Sequence, residues 1–375
     1  MIVDLFCGIG WDCAARSLGL DPIGIDIDAD VCATRALHAM PTIRADIATY
    51  PTERFRDVDG LIASPPCQDF SRAGKRAGLT AERGQLVWQV ERWADALRPR
   101  WVACEQTEDV LPIWQMIAHR LRNLGYRTWV GLLHSERYGV PQTRTRAILL
   151  ASLEKQPHPP EPTHQKYVPG EPAVYTPASM FHGEILPWVS MAEALGWETS
   201  GDVGLRHPRG AGMVERHGER PVRSLAEPAH TLTTMAGCWD WTLTDRQPNG
   251  AERRVDQPAP TITASLDNGN KAFVRTTLHT NRGQEPDGTR QTVTTDRPAP
   301  GFTAKAGGQW AFHPDEATPI RLAIEDALIL QSFPPGFELA GAKTAKFRQI
   351  GNAVPPLLAQ AILRSLLDEC AEVAA

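Results

Sequence analysis

The sequence predicts an α/β fold: a mostly parallel sheet with helices on both faces, joined to a second, irregular, β-containing domain. Three observations carry this. Short apolar runs alternate with helix-like stretches through residues 1–150, as successive strand–helix units require. The composition then shifts. Of the 31 prolines, 18 fall within 151–315, where helical periodicity fades and short Thr-rich alternating runs take over. The α/β style returns from residue 316 to residue 375. The expected divisions are therefore 1–150, 151–315 and 316–375, the last segment docking back on the first domain.

Taken in order, Ile2–Phe6 is an apolar strand running into a Gly-rich turn, and Asp12–Leu18 reads as a helix closed by Gly19. Pro22–Ile27 is a second strand, and Ala29–His38 a second helix that Asp28 is placed to cap. Gly60–Ala63 is a short strand leading into S-P-P-C-Q-D-F-S at 64–71. Gln85–Leu97 has helical periodicity and stops before Pro99. Trp101–Glu105, Thr128–Leu133 and Ala147–Leu150 are further strands. In the second region E-P-A-H-T-L-T-T at 227, Q-P-A-P-T-I-T-A at 257 and R-P-A-P-G-F-T-A at 297 form a weak repeat, each a Pro turn before a short strand. Arg321–Gln331 is an amphipathic helix ended by F-P-P-G-F, and a Gly-Asn turn at 351–352 leads into a C-terminal helix.

The composition excludes several classes. With 42% hydrophobic and 22% charged residues over 375 positions, the chain is an ordinary globular protein larger than one domain needs. No run of about 18 apolar residues crosses a membrane. The N-terminal residues have neither a basic region nor a cleavage site, so a cytoplasmic protein is expected. The net charge of −5 does not advertise nucleic-acid binding, although a local basic groove can sit on an acidic protein. Seven cysteines, an odd count without a C-x-x-C pair, argue against a disulfide framework and a zinc site, and the eleven histidines show no metal-ligand spacing.

In a parallel sheet, ligands bind at the carboxyl ends of the strands, so the chemistry belongs in the loops after Phe6, Ile25, Ala63 and Cys104. D-L-F-C-G-I-G-W at 4–11 lets backbone N–H groups approach a ligand. It lacks the third glycine of the dinucleotide fingerprint, since Cys13 stands there. Asp26 suits a ribose diol, or alternatively helps to cap the helix that follows. Cys67 is either a nucleophile held by stiff prolines or an inert turn cysteine. Glu105, at the end of an apolar strand, is a candidate acid or hydrogen-bond partner, while Glu108 and Asp109 read as a solvated helix start. If 140–150 is a strand, Gln142, Arg144 and Arg146 share a face, as an anion site or as a salt-bridged edge. Arg72, Lys75 and Arg76 make a basic glycine-containing loop, either a lid over a polyanion or a solvated surface. Arg206, Arg209, Arg216, Arg220 and Arg223 form a further basic cluster.

Together, D-L-F-C-G-I-G at 4, S-P-P-C-Q-D-F-S at 64, C-E-Q-T at 104, Q-T-R-T-R at 142, R-L-A-I-E-D-A-L-I-L-Q-S-F-P at 321 and G-N-A-V-P-P at 351 resemble the DNA cytosine-5 methyltransferase family, in the family's order. The resemblance implies a Rossmann-like, S-adenosylmethionine-dependent methyltransferase sheet over 1–150, a target-recognition domain over 151–315 and a returning C-terminal segment. It implies that Cys67 is the nucleophile. Thiolate addition to cytosine C6 makes C5 enamine-like, able to take the methyl group of S-adenosylmethionine.

By the same resemblance, Glu105 holds the base edge at N3 and the exocyclic amine, Arg144 sits near the cytosine O2, and Arg146 supports the site. Gln68, Ser71, Arg72 and Gln142 are expected at the substrate. The target base is flipped out of the duplex, and the loop from about Ser71 to Gly84 closes over it. The cofactor pocket is expected to comprise Phe6, Cys7, Gly8, Ile9 and Gly10, Asp26 on the ribose, Ile27 on the adenine, Asp46 and Ile47 at the adenine edge, and Pro66, Leu86, Asn352 and Val354. No metal is expected.

Three positions depart from the family pattern. Gln106 and Thr107 replace Asn-Val after Glu105, with Gln able to brace the loop through a longer reach. Trp11 stands where a second Gly is common. Ile27 takes the place of an aromatic residue, which is expected to weaken cofactor binding. Double-stranded DNA is the expected partner of a monomer, with a cognate restriction enzyme as a further possibility. An RNA methyltransferase of the same fold, and a catalytically silent DNA-binding homologue, are the alternative readings. The length of the second region favours DNA, and the intact Cys67, Glu105 and Arg144 favour catalysis.

Overall fold

The computed structural model describes residues 1–66, 83–168, 171–179, 183–196, 212–215, 223–224, 227–230, 239–242, 277–284, 290–293, 310–313 and 323–371. Strands and helices alternate through the first part: β1 (Ile2–Leu5), α1 (Gly10–Ser17), β2 (Ile23–Asp26), α2 (Ala29–Leu37), β3 (Thr42–Arg44), β4 (Gly60–Ala63), α3 (Gln89–Leu97), β5 (Trp101–Thr107), α4 (Leu111–Asn123) and β6 (Arg127–His134). Two further strands, β7 (Gln142–Thr143) and β8 (Thr145–Ser152), follow. Asp28 caps α2 as expected, accepting from the backbone N–H groups of Asp30 at 2.9 Å and Val31 at 3.4 Å.

Seven of these strands make one sheet in the order β3-β2-β1-β4-β5-β8-β6. The strands from β3 to β5 are parallel, whereas β8 runs antiparallel to both β5 and β6. The segment 135–144 between β6 and β8 is too short for a parallel crossover, which needs about a dozen residues or more. Both faces are covered, which is why the strands read as continuous apolar runs. Successive residues point to opposite faces. Val3, Leu5, Leu61, Ala63, Val102 and Cys104 pack with Val90 and Trp93 of α3 and Trp114 and Ile117 of α4. Ile2, Ile62, Trp101 and Ala103 pack on the other side with Trp11, Ala14 and Ala15 of α1.

Beyond residue 152 the described elements are α5 (Met191–Ala194) and the strands β9 (Gly212–Glu215), β10 (Arg223–Ser224), β11 (Ala229–His230), β12 (Trp239–Thr242), β13 (Thr277–Gln284), β14 (Arg290–Val293) and β15 (Trp310–His313). They form two three-stranded antiparallel sheets, β10-β9-β12 and β14-β13-β15, while β11 pairs in parallel with β7. Of the three Pro-Ala repeats, only 227–230 lies within the described residues. Arg206, Arg209, Arg216 and Arg220 lie outside them.

The chain returns through α6 (Ile324–Leu330), α7 (Lys343–Asn352) and α8 (Pro356–Ala371). Leu358, Ile362, Leu363 and Leu366 of α8 bury themselves in the cluster that holds Trp11, Ala14 and Ala15. One helical stretch here, 343–367, is apolar enough by composition to cross a membrane, but it breaks before Pro355 and Pro356 and 61% of its apolar window is buried. Several boundaries differ from expectation. α1 starts at Gly10, two residues early, and 85–97 divides into a 3-10 turn (Arg83–Trp88) followed by α3. Gly351 and Asn352, expected in a turn, end α7. The carbonyls that this helix end leaves over are taken by side chains: Gly351 by Arg144, and Ala353 by Arg144 and Gln331.

Candidate active site

The chain leaves β1 toward β2 and β3 on one side, then returns to β4 and β5 on the other. That reversal opens a crevice at the carboxyl ends of β1 and β4, where doubly wound sheets bind ligands. A cavity of about 860 Å³ lies there, within the usual range for small-molecule sites of about 300–1,000 Å³.

The loop after β1 forms its floor. Phe6 (φ +54°) and Gly8 (φ +51°) both adopt the left-handed region, which a bulky side chain enters at a cost and functional loops tolerate. The Gly8 N–H donates to Asp26 Oδ2 at 3.2 Å. A Cβ on Gly10 would lie 2.1 Å from the Val354 carbonyl oxygen, so only glycine lets the C-terminal loop close this wall. Beneath the floor Arg35 pairs with Asp12 at 2.5 Å, both side chains fully buried, and donates to the Gly8 carbonyl at 3.2 Å. Asp4, buried beside them, is held well above the usual carboxylate range by desolvation and by the neighbouring Asp12 charge.

Every residue expected in the cofactor pocket lines this cavity: Phe6, Cys7, Gly8, Ile9, Gly10, Asp26, Ile27, Asp46, Ile47, Pro66, Leu86, Asn352 and Val354. Asp26 also accepts from the Asp28 N–H at 2.9 Å. Burial outweighs both of its backbone hydrogen bonds and holds its carboxyl above the usual range. Ile27 is 65% exposed on the rim, a large apolar surface open to a flat ring. The cations at the cavity are already engaged: Arg348 with Asp28 at 2.8 Å and Asp30 at 3.3 Å, Arg146 with Glu105 at 2.7 Å, and Arg144 with the Gly351 and Ala353 carbonyls. A carboxylate for hydroxyls and apolar walls for a ring, with the described cations Arg144, Arg146 and Arg348 each engaged, suit a nucleoside ligand. S-adenosylmethionine fits that donor set.

At the other end lies Glu105, buried on β5. Arg146 Nε donates to its Oε1 at 2.7 Å, with side chains 10% and 5% exposed, and Ser64 Oγ donates to its Oε2 at 3.3 Å. Gln106 Nε2 donates to the Pro65 carbonyl, while its Oε1 accepts from the Thr107 N–H at 2.6 Å. Gln106 thus ties the strand to the S-P-P loop, the brace its longer reach was expected to provide.

Cys67, Gln68, Ser71 and Arg72 lie outside the described residues, as does most of the loop expected to close over the base, together with Lys75 and Arg76. The cysteines whose side chains are described are unsuited to attack. Burial raises Cys7, Cys32 and Cys104, and Cys13 is pushed up to about 11, so all four stay thiols.

A family model described as C-5 cytosine-specific DNA methylase matches residues 1–368. The chain belongs to this family. It is a DNA cytosine-5 methyltransferase, a family that uses S-adenosylmethionine. This methylase is 26% identical over 372 residues to the Type II methyltransferase M.AplI of Arthrospira platensis, covering 98% of this chain and 85% of the relative. It is 28% identical over 386 residues to the Type II methyltransferase M.XorII of Xanthomonas oryzae pv. oryzae, covering 96% and 82%. Among solved structures, a Spodoptera frugiperda DNMT2 mutant superposes with a TM-score of 0.55 at 14% identity, covering 98% of this chain and 99% of that one. At that identity the likeness speaks for the fold of the methylase.

One expectation needs correction. Gln142 does not point with Arg144 and Arg146, which both line the cavity, because the strand is interrupted at Arg144, between β7 and β8. Gln142 is fully buried, donates to Gln331 Oε1 at 2.7 Å and does not line the cavity. Arg146 pairs with Glu105, while Arg144 holds the C-terminal loop. The sequence reading missed Ser64, Trp88 and Arg348 as lining residues. Ser64 had a signal, since it directly follows β4 inside a quoted motif. Arg348 had none, because its partners Asp28 and Asp30 are some 320 residues away.

Proposed function

We propose that this methylase transfers a methyl group to C5 of a flipped-out cytosine in double-stranded DNA, through a covalent bond between Cys67 and C6. The observation that carries this reading is the buried Glu105–Arg146 pair, which lines a nucleoside-sized cavity together with Ser64, Pro65 and Pro66 of the loop that leads to Cys67. S-adenosylmethionine, when bound, supplies the electrophilic methyl group. Asp26 would accept from its ribose hydroxyls, Ile27 and Phe6 would cover its adenine ring, and Asp46 with Ile47 would meet the ring's edge.

Cytosine C5 is too weak a nucleophile while the ring is aromatic. The Cys67 thiolate forms the S–C6 bond, and the C5=C6 electron pair moves toward C5 and the N3–O2 side of the ring. A proton passed to N3 by way of Glu105 neutralises that charge, while the carboxyl accepts from the exocyclic amine. Arg146, bonded to Glu105, would supply a guanidinium to O2, the role that the family resemblance gives to Arg144. Once C5 carries the methyl group, transfer of the C5 proton to a base and expulsion of the Cys67 thiolate restore the C5=C6 bond. C6 is hidden in a stacked duplex, so the base is turned out first, with Gln68, Ser71 and Arg72 beside it. The setting is a restriction–modification one, as the names of the Type II relatives suggest, with a monomer acting in the cytoplasm beside a cognate restriction enzyme.

The test supplies methyl-labelled S-adenosylmethionine with mixed-sequence duplex DNA, and with RNA in parallel. Label is expected in 5-methylcytosine from DNA and is lost in Cys67→Ala. Label in RNA only would replace the substrate, and label surviving in Cys67→Ala would remove the covalent step.

A further inference from the structure

Trp11 stands at a position where the family commonly has glycine, and the structure gives its indole a partner. Trp11 Nε1 donates to Ser64 Oγ at 2.9 Å, and Ser64 Oγ donates to Glu105 Oε2 at 3.3 Å. An indole N–H has no acceptor capacity, so the first bond has one possible direction. Ser64 must accept there, and its single proton then goes to the carboxylate. Trp11 is 1% exposed and packed with Ala14, Val354 and Leu358, so the donor is fixed in place. Glu105 Oε1 is held from the other side by Arg146 at 2.7 Å.

We propose that Trp11 and Ser64 are positioning residues for Glu105: the indole fixes the Ser64 hydroxyl as a donor to Oε2, so the carboxylate is clamped between Ser64 and Arg146 with its plane set before the base arrives. This rests on the reading of Glu105 as the group that holds the cytosine edge. A hydroxyl without the indole rotates freely and accepts or donates to other partners, and the carboxylate then turns about its own side-chain bonds. Orientation fixed in advance lowers the barrier to the chemical step without tightening ground-state binding. The relay therefore acts on the rate of methyl transfer, not on cofactor affinity.

The experiment compares wild type, Ser64→Ala, Ser64→Thr, Trp11→Phe and the Ser64→Ala/Trp11→Phe double variant. It reads single-turnover methylation rates, KM for duplex DNA, S-adenosylmethionine affinity by calorimetry and thermal unfolding. Ser64→Ala is expected to lower the single-turnover rate by about tenfold or more, below the ~10²–10³ of a direct transition-state donor, with cofactor affinity and KM within about twofold of wild type. Ser64→Thr, which keeps the hydroxyl, recovers most of the rate. Trp11→Phe slows the reaction when Ser64 is present and adds little in the Ser64→Ala background, the non-additivity expected of residues acting in series. A Ser64→Ala rate within twofold of wild type, or single effects that multiply in the double variant, would overturn the relay. Should Trp11→Phe not fold, the Ser64→Ala and Ser64→Thr pair decides alone. A wild type that methylates no cytosine would overturn the reaction assignment, and the relay with it; an active wild type with an unaffected Ser64→Ala would overturn the relay alone.

Discussion

The guanidinium of Arg144 donates from Nη2 to the Gly351 carbonyl at 2.9 Å, and the same nitrogen reaches the Ala353 carbonyl at 3.0 Å. Two motifs that lie 207 residues apart in the chain are joined by this one buried side chain. Gln331 adds a third donor, Nε2 to the Ala353 carbonyl at 2.7 Å, and Gln142 in turn donates to Gln331. The loop so held carries Asn352 and Val354 into the cavity wall.

Arg144→Ala should therefore act on the cofactor wall as well as on stability. The Ala353 carbonyl keeps its Gln331 donor, whereas the Gly351 carbonyl loses that of Arg144, at a cost of about 1–3 kcal/mol. The expected outcome is a clear fall in unfolding midpoint together with weaker S-adenosylmethionine binding. Arg144→Lys, with one compact donor in place of a fork, should recover only part of either. Calorimetry paired with thermal unfolding separates the two effects, and unaltered cofactor affinity in a folded Arg144→Ala would refute the coupling.

Arg146 poses a different test, because its partner is a carboxylate. Arg146→Met leaves Glu105 buried without its ion-pair partner, at a cost of about 3–5 kcal/mol. The Arg146→Met/Glu105→Gln double variant removes the stranded charge and should regain much of that stability. Neither variant should methylate DNA at more than a small fraction of the wild-type rate. Chemical denaturation gives the stabilities; a double variant no more stable than Arg146→Met alone would mean that the pair is not desolvated as the geometry indicates.

The parallel half of the sheet was legible because its strands are buried on both faces and so read as unbroken apolar runs, as in Val3–Leu5 and Leu61–Ala63. That the residues expected in the cofactor pocket would line one cavity was legible because they cluster in short motifs, several of them at strand ends. Other features depend on long-range geometry that a linear pattern does not carry. The antiparallel β8 follows from a short connection, not from its own residues. The separation of Gln142 from Arg144 follows from an interruption of the strand that period-two reasoning does not see. The Trp11–Ser64 bond spans 53 positions, and in the sequence Trp11 shows only as a departure from a glycine.

Two glycines in one loop should respond differently to alanine. At Gly8 the backbone is left-handed (φ +51°) with open space around a new Cβ, so Gly8→Ala costs only backbone strain of about 1–2 kcal/mol. At Gly10 the obstacle is the Val354 carbonyl, 2.1 Å from the new atom. Gly10→Ala must push the C-terminal loop off the wall, so cofactor binding should fall by more than in Gly8→Ala. Side-by-side titration with S-adenosylmethionine decides it; equal losses would place the constraint in the backbone at both positions.

Asp26 gives the site a pH dependence whose sign can be worked out. Burial raises its carboxyl above the usual range, more than the Asp28 and Gly8 N–H bonds lower it. In its proposed role as acceptor for the ribose hydroxyls it must be ionised, so S-adenosylmethionine affinity should fall as pH drops through this raised value, earlier than an ordinary aspartate would require. For folding the sign is opposite. The folded state holds the proton more tightly than the unfolded chain, so this group's contribution to stability is full below the ordinary carboxylate value and is lost as pH rises through the raised one. Acidification should therefore weaken the cofactor while relieving the strain of the buried charge. Asp26→Asn should remove both dependences, and lower affinity at neutral pH by about 10–100-fold, the worth of a hydrogen bond to a charged group. Isothermal titration of wild type and Asp26→Asn across pH 4–8 checks this. A wild-type affinity that stays flat down to the ordinary aspartate range would show that Asp26 is not the ribose acceptor.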